Sequence, residues 1–259
     1  MKLVPMRTGV KQVPKSLSPV RAPLTKQAPH ADYPPRRNMQ TAAYKPVEFT
    51  HLKVFEQDAK RGKKGWADPI DPVLALKRRT LITLTGKDIE FTRDGRPVNP
   101  IERTGYSGRG LLGRWGPNHA ADPVITRRNG ETGQLEMWAI VRGDARKHYA
   151  APGGMLDKGE APVAAAAREL REETGVRLNL SKAKVLYSGY AVDPRNTDNA
   201  WMETTAVHIH VSEGVGSRFK PRAMSDAHSV GWLPLTESNL KKLYGSHQRF
   251  ARLAMGNVP

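Results

Sequence analysis

The block of residues 154–176, GMLDKGEAPVAAAARELREETGV, constrains the fold of this chain more than any other segment. Gly154 is followed after five residues by Glu160, and after seven more by the run RELREETGV. Pro162 can begin a helix without losing a hydrogen bond, and the alanines after it are the best helix formers. Gly175 suits the left-handed residue that closes a helix. The block therefore predicts a loop, a helix that begins near Pro162, and a second loop.

Three glutamates of this predicted helix, Glu169, Glu172 and Glu173, share one face through their spacing of three and four residues. Like charges at this spacing repel each other, and acids near the end of a helix oppose its dipole. The same arrangement offers hard oxygen ligands of the kind that Mg²⁺ prefers. The alternative is a solvated acidic face that Arg168 and Arg171 neutralise.

The block resembles the signature of the Nudix hydrolases at all seven positions of fixed identity and at both aliphatic positions. Chance agreement at the seven positions is about one in 10⁸ to 10⁹ per start point. The resemblance implies an α+β Nudix fold, with a mixed β-sheet sandwiched by helices. It also implies a magnesium-dependent enzyme that hydrolyses the pyrophosphate of a nucleoside diphosphate derivative, with Mn²⁺ as the alternative cofactor.

The resemblance further implies a role for each polar residue of the block. Glu172 would bind metal or activate water, Arg168 would orient a carboxylate, and Glu160 would support a metal-bound water. The metal would neutralise the pyrophosphate and lower the pKa of the attacking water. The set of metal-site residues implied in this way is Gly153 through its carbonyl, Glu160, Glu169, Glu172 and Glu173.

Further segments resemble one Nudix subgroup, the mitochondrial-type ADP-ribose pyrophosphatases and the homologous C-terminal domain of melastatin-type ADP-ribose-gated cation channels. This resemblance implies two domains with the ligand in the cleft between them, and hydrolysis of ADP-ribose to AMP and ribose 5-phosphate. The segments are KPVEFT, WADP, residues 95–127, residues 189–204 and residues 240–250.

Several polar and aromatic residues in these segments are candidates for binding the substrate. A glycine-rich run over 103–127 holds many donors, although its composition also fits an interdomain linker. The run DPRNTDN offers a cation and acceptors to a diphosphate and ribose, although it also fits a turn. The aromatic rings fit either adenine stacking or packing in the scaffold. The candidates are Arg109, Arg114, Trp115, His119, Tyr149, Asp193, Arg195, Asn196 and Asp198.

The residue that accepts a proton from the attacking water is less well defined by the resemblance. The subgroup has an acidic loop before the strand that ends in Trp232, and here that loop reads KPRAMSDAHSVGW. Arg222 stands where an acid is expected, whereas Asp226 is kept. The sequence therefore predicts Asp226 as the general base, or Glu172 if this loop does not supply it.

The chain divides into three parts by composition. Residues 1–40 contain seven prolines, eight Lys or Arg and one acid, which indicates either a targeting segment or a disordered, anion-seeking arm. Residues 41–120 predict a small β-rich domain and its glycine-rich connection, with strands over 44–55 and 78–86, a basic loop over 60–65 and a hairpin turn at Asp94-Gly95. Residues 121–259 predict the Nudix domain, closed by a helix over 240–256.

Composition excludes some functions and leaves others open. The chain has no cysteine, which excludes disulfides and thiolate chemistry. It lacks a secretory signal and an apolar run of about 18 residues, so we expect a protein of the mitochondrial matrix or cytoplasm without a membrane span. The net charge of +17 permits a nucleic-acid partner without requiring one, and favours neither a monomer nor a homodimer.

Two alternatives to ADP-ribose hydrolysis follow from the same features. One is a Nudix hydrolase of another substrate, such as a dinucleotide, a sugar nucleotide or an RNA cap. The other is a Nudix-fold subunit that binds a ligand or an RNA–protein assembly without turnover, which the basic charge favours. The complete set of mutually repelling carboxylates argues against the second.

Overall fold

The computed structural model describes residues 44–58, 65–77, 80–143, 148–220 and 227–258. Some sequence predictions lie outside the described residues: the basic tail over 1–40, nearly all of the basic loop over 60–65, and Asp226.

The described residues form one large sheet and two small ones, with helices packed around them. The strands are β1 (Val47–Thr50), β2 (Glu90–Phe91), β3 (Pro97–Val98), β4 (Tyr106–Gly110), β5 (Gly116–Arg128), β6 (Leu135–Arg142), β7 (Tyr149–Ala150), β8 (Gly154–Met155), β9 (Lys184–Tyr190), β10 (Ala200–His210) and β11 (Ala227–Pro234). The helices are α1 (Leu52–Glu56), α2 (Pro72–Lys77), α3 (Pro162–Thr174), α4 (Glu213–Gly216), α5 (Glu237–Leu240) and α6 (His247–Met255).

The large sheet is mixed, with the strand order β11-β6-β5-β10-β9, β7 beside β6 and β8 beside β5. β5 and β10 run parallel, and the other pairs are antiparallel. Val124 of β5 belongs to the same buried cluster as Phe250 of α6, and its neighbour Ile125 to that of Leu170 of α3. Because successive strand residues point to opposite faces, the two helices cover opposite faces of the sheet. The α+β sandwich that the resemblance implied is therefore confirmed.

The central strands β5 and β6 pair over only a short stretch, residues 126–128 with 135–137. Beyond this stretch, β8 pairs with β5 at residues 120–121, and β7 pairs with β6 at residues 140–141. On the edge of β5 that faces β6 and β8, Pro123 lies between the two paired stretches. The missing N–H of proline costs no ladder hydrogen bond on this edge. The two strands thus separate in the middle of the sheet.

The N-terminal domain contains the two small sheets, β1 parallel to β4 and β2 antiparallel to β3. The hairpin between β2 and β3 turns through Asp94 and Gly95 as predicted, with a φ of 82° at Gly95. The Gly95 N–H donates to the carbonyl of Thr92 across this turn. The positive φ explains why glycine is favoured at this position.

Of the two strand predictions in this domain, one was too long and the other was wrong. Only Val47–Thr50 is extended within residues 44–55, because the His51 ring accepts a hydrogen bond from the Lys53 N–H and caps α1. Residues 80–86 contain no strand. The Thr83 hydroxyl and the Leu84 N–H donate instead to the buried Glu203 carboxylate, so a side chain holds this segment in place of a strand ladder.

The closing helix is shorter than predicted. α6 begins at His247, and residues 241–246 form a turn instead of the first turns of the helix. The Tyr149 N–H donates to the Lys242 carbonyl in this turn, and the Tyr244 N–H donates to the Tyr149 carbonyl. These bonds tie the turn to β7. No helix among the described residues combines the length and apolar character needed to cross a lipid bilayer.

Two histidines of β10 share one hydroxyl of β5. The Thr126 Oγ1 atom lies 2.8 Å from His208 Nε2 and 2.9 Å from His210 Nδ1. His208 is buried, and its burial lowers its pKa to about 4, with smaller contributions from the charges of His210 and Lys184. His208 is therefore neutral in the folded protein throughout the neutral pH range.

We expect the contribution of His208 to the free energy of unfolding to fall as the pH is lowered from 7.5 to 5. Unfolded His208 gains a proton near pH 6.5, whereas folded His208 resists protonation until about pH 4. Its contribution is fully present above pH 6.5 and is lost towards pH 4, on the order of 2 kcal/mol. Urea unfolding at both pH values should show a smaller loss in His208→Gln, and equal losses would contradict this assignment.

Candidate active site

Helix α3 presents the acidic residues of the block as the sequence predicted. The helix begins at Pro162, and Gly175 closes it with a φ of 72° and an N–H that donates to the Arg171 carbonyl. Ala166 and Leu170 are fully buried on the side that packs against the sheet. The acidic residues are therefore left on the side that meets the loop before the helix.

Arg168 links three carboxylates of the block. Its Nε and Nη2 donate to Glu160 at 3.0 and 2.9 Å, and its Nη1 donates to Glu169 at 2.6 Å and Glu172 at 3.2 Å. Nη2 also donates to the Met155 carbonyl at 3.0 Å. The hydrogen bonds to Glu160 are the largest of the influences that raise the pKa of Arg168 above its ordinary value. One guanidinium thus offsets part of the repulsion within the acidic face.

Glu173 extends from the other side of this face and accepts a hydrogen bond from the Gly153 N–H at 2.9 Å. Burial raises its pKa to about 7; the charges of Glu169 and Asp122 add to this rise, and the hydrogen bond from Gly153 opposes it. Burial also raises the pKa of Glu169, against the opposing hydrogen bond from Arg168. The site therefore concentrates negative charge in a partly desolvated place.

Two adjacent glycines leave room for carboxylates. A Cβ atom at Gly154 would lie 2.4 Å from the Glu169 carboxylate, and one at Gly153 would lie 2.3 Å from Oδ1 of Asp122. Contacts this short would displace the carboxylates, which accounts for glycine at both positions. Within the described part of the chain, no three His, Asp or Glu side chains converge into a preformed metal cage.

A cavity of about 660 Å³ opens beside these carboxylates, where β5 and β6 separate. Small-ligand sites in proteins typically measure roughly 300–1,000 Å³. Gly153, Gly154 and Glu173 line the cavity together with residues of the sheet and of α6. Every lining residue falls within 120–250. All of the lining residues except Ala120 thus belong to the C-terminal domain, and the cleft between the two domains that the resemblance implied stays a prediction.

Asp193 and Arg195 line the same cavity as an ion pair. Nε and Nη2 of Arg195 each donate to a carboxylate oxygen of Asp193 at 2.8 Å. Burial works to raise the pKa of Asp193, but the Arg195 charge and hydrogen bonds outweigh it and hold the pKa below its ordinary value. The Arg195 side chain is 34% exposed, so its guanidinium can still meet an anion.

The other two candidates of this loop point into the scaffold. Asn196 donates to the Tyr190 hydroxyl at 2.9 Å. Asp198 accepts hydrogen bonds from the Thr104 N–H at 2.8 Å and from the Tyr44 hydroxyl at 2.6 Å. Both side chains lie outside the cavity lining and connect the loop to its surroundings.

The candidates in the glycine-rich run lie outside the lining as well. Arg109 is fully buried and donates to two backbone carbonyls, and Trp115 donates its ring N–H to the Pro69 carbonyl at 3.0 Å. The run itself forms β4 and β5. The remaining candidates are half-buried and do not line the cavity either: Arg114, His119 and Tyr149.

Four ionisable lining residues were not singled out from the sequence. The Arg142 guanidinium lies over the Tyr244 ring, 4.2 Å from its centroid. His247 accepts a hydrogen bond from the Ala151 N–H at 3.0 Å through Nδ1, and burial lowers its pKa. The segments 95–127 and 240–250 of the resemblance contain Asp122, Tyr244 and His247 without naming them, whereas Arg142 lies outside both segments. The four residues are Asp122, Arg142, Tyr244 and His247.

Two family models match successive parts of the chain. The model described as NUDIX domain matches residues 117–254. The model described as NUDT9-like, N-terminal domain matches residues 36–116. Together they span both of the domains whose folds are described above.

The chain is also similar to curated proteins. It is 46% identical over 166 residues to nudix hydrolase 6 of Caenorhabditis elegans, a match that covers 61% of this chain and 62% of that protein. It is 38% identical over 246 residues to the mitochondrial ADP-ribose pyrophosphatase of Rattus norvegicus, with 81% and 68% covered. A third relative is the transient receptor potential cation channel subfamily M member-like 2 of Nematostella vectensis, 41% identical over 242 residues, with 79% and 15% covered. The chain thus spans less than two thirds of the first relative's length.

The ion pair between Asp193 and Arg195 should couple these residues energetically. We expect Asp193→Asn and Arg195→Gln each to lower the free energy of unfolding by about 2 kcal/mol, because each leaves a partner charge in a poorly solvated place. The double variant should cost about 1 kcal/mol less than the sum of the single costs. Urea unfolding measures this cycle.

The exposed pair Arg252 and Glu237 is the matched control for this cycle. Replacing both residues by Gln should show no measurable coupling, because solvent screens surface ion pairs. Additive costs for Asp193→Asn and Arg195→Gln would contradict the assignment of a buried, coupled pair.

Proposed function

This chain belongs to the Nudix family, and from that membership we propose that it hydrolyses ADP-ribose to AMP and ribose 5-phosphate with Mg²⁺ as cofactor, Mn²⁺ being the alternative. The observation that carries the proposal is that one cavity is lined by both Glu173 of the acidic block and the Asp193–Arg195 pair. A pyrophosphate needs a cation site and a fixed positive group within one enclosure. The name of the rat relative supports ADP-ribose as the substrate.

The residues of the block fit Mg²⁺ by their chemistry and by the space around them. Mg²⁺ is usually held by one or two carboxylates, while waters and substrate phosphates complete its shell. Glu169 and Glu173 would supply carboxylates, and the Gly153 carbonyl would supply another oxygen. The space beside them is one that a Cβ atom at Gly153 or Gly154 would fill. When bound, Mg²⁺ neutralises the pyrophosphate and lowers the pKa of the attacking water.

The remaining residues of the block orient this set. Arg168 holds the carboxylates of Glu160, Glu169 and Glu172 in one hydrogen-bonded array, so each enters the reaction already aligned. Glu160 then supports a bound water. The proton of the attacking water passes to a carboxylate, for which we propose Glu172, or Asp226 outside the described residues.

The substrate is held by positive and aromatic groups of the cavity. Arg195 and Arg142 offer guanidinium groups to the two phosphates, and the Tyr244 ring offers an apolar face. The remaining candidates from the sequence lie outside the lining. We propose that they shape the scaffold around the cavity: Arg109, Arg114, Trp115, His119, Tyr149, Asn196 and Asp198.

We propose the mitochondrial matrix or the cytoplasm as the compartment. The rat relative carries the word mitochondrial in its name, and residues 1–40 are rich in basic residues with one acid. These features support a targeting segment at that end of the sequence.

The first experiment is product analysis after incubation with ADP-ribose and Mg²⁺. We expect AMP and ribose 5-phosphate in equal amounts, and a loss of kcat of about 100-fold or more in Glu173→Gln, because an electrostatic group of the reacting centre is removed. Glu131→Gln, at an exposed turn, is the matched control and should keep the wild-type rate.

Other outcomes separate the alternatives. Turnover of a dinucleotide, a sugar nucleotide or an RNA cap with ADP-ribose untouched would keep the reaction class and reject the substrate. No turnover of any of these by folded, Mg²⁺-supplied protein would reject the enzyme, and RNA binding that weakens steeply with salt would then favour an assembly subunit.

A second variant tests the space beside Glu169. In Gly154→Ala, the new Cβ atom would meet the Glu169 carboxylate at 2.4 Å, so the carboxylate must move. We expect kcat to fall at least about tenfold while the fold is kept. Gly231→Ala is the control, because a Cβ atom at Gly231 meets nothing within 4 Å. Equal kinetics for both variants would argue against Glu169 as a group of the reacting centre.

A further inference from the structure

Asp122 of β5 carries a buried carboxylate that the proposed mechanism does not use. Its side chain lines the cavity although the residue is only 7% exposed. The Thr204 hydroxyl donates to its Oδ2 atom at 2.6 Å, and this is the one hydrogen bond that the described residues make with the carboxylate. No Lys or Arg of the described residues forms an ion pair with it. The carboxylate therefore keeps acceptor sites that its one neutral donor does not fill.

The second oxygen of Asp122 faces the residue that carries the proposed metal-binding carbonyl. A Cβ atom added at Gly153 would lie 2.3 Å from Oδ1 of Asp122, so this carboxylate oxygen packs against the glycine. The Gly153 N–H donates to Glu173. Gly153 is therefore held between two carboxylates, one from β5 and one from α3.

The charge of Asp122 also reaches the other polar groups of the cavity. It contributes to the raised pKa of Glu173 and acts on Arg195 and His247. Asp122 thus shares one cavity with Glu173 and with the Asp193–Arg195 pair. A cation bound at the block would be attracted by the charges of Asp122 and Glu173 together.

We infer that Asp122 is a further acidic residue of the cation site, where it fixes Gly153 and supplies charge that draws in a divalent cation. The inference rests on the proposed function, which places a divalent cation on Glu169 and Glu173. Asp122 acts as a positioning residue in this role, through Gly153 and through its charge.

Mn²⁺ binding to the full chain without substrate, followed by electron paramagnetic resonance, tests this role. We expect Asp122→Asn to weaken Mn²⁺ binding about tenfold or more. Thr204→Val keeps the charge and removes one hydrogen bond, so its affinity should stay within about twofold of wild type. Asp88→Asn, at an exposed loop, is the control for charge removal and should bind like wild type.

Thermal unfolding distinguishes a cation role from a merely structural one. Without divalent cations, Asp122→Asn should melt at or above the wild-type temperature, because the repulsion between Asp122 and Glu173 is removed. With saturating Mn²⁺, the wild type should gain more stability than the variant. Asp122→Ser, which keeps an oxygen acceptor for the Thr204 hydroxyl, should behave in the same way.

The failure of this inference differs from the failure of the proposed function. If Glu173→Gln loses Mn²⁺ affinity while Asp122→Asn keeps it, the role of Asp122 is rejected and the block remains the cation site. If both variants bind Mn²⁺ like wild type, the proposed cation site itself is rejected. A lower melting temperature of Asp122→Asn with and without Mn²⁺, at unchanged affinity, would show a structural role alone.

Discussion

The short pairing between β5 and β6 is the constraint on which the rest of the site depends. The two strands meet over residues 126–128 and 135–137 and then part, and β8 and β7 take up their free edges. A continuous ladder would fill the centre of the sheet with backbone hydrogen bonds. Because the strands part, polar side chains such as Asp122 and Arg142 can face a cavity from within the sheet. Pro123 is compatible with this arrangement because its missing N–H falls where no partner strand is needed.

The carboxylates in and around this cavity differ in whether an arginine neutralises them. Arg168 satisfies the carboxylates on the outer side of α3, and Arg195 satisfies Asp193. Among the described residues, neither Glu173 nor Asp122 forms an ion pair in direct contact, and burial raises the pKa of Glu173. The site therefore holds acids that a cation would stabilise beside guanidinium groups that an anion would stabilise. A pyrophosphate bound with a divalent cation would supply both the cation for the acids and the anion for the guanidinium groups.

The sequence predicted those features that depend on the backbone preferences of neighbouring residues. Pro162, the alanines and Gly175 define α3, and Asp94-Gly95 defines a hairpin, because each feature depends on backbone preferences of a few residues. The pattern could not separate a strand from a segment such as residues 80–86, where the buried Glu203 replaces the ladder. Nor could it assign Asp122 to the cavity, since the residues that meet there are far apart in sequence. The composition of the glycine-rich run fits both a ligand site and a linker. In the structure, Arg109 of this run donates to two backbone carbonyls.

The hydrogen bonds that Asp198 accepts from Tyr44 and Thr104 cross from one domain to the other, directly beside the loop that carries Arg195. These hydrogen bonds make the buried carboxylate of Asp198 dependent on the N-terminal domain. An exchange of segments between genes that moved residues 117–254 alone would strand a buried carboxylate without its donors. A substitution in the N-terminal domain that removes either donor would therefore act on the same loop that carries Arg195.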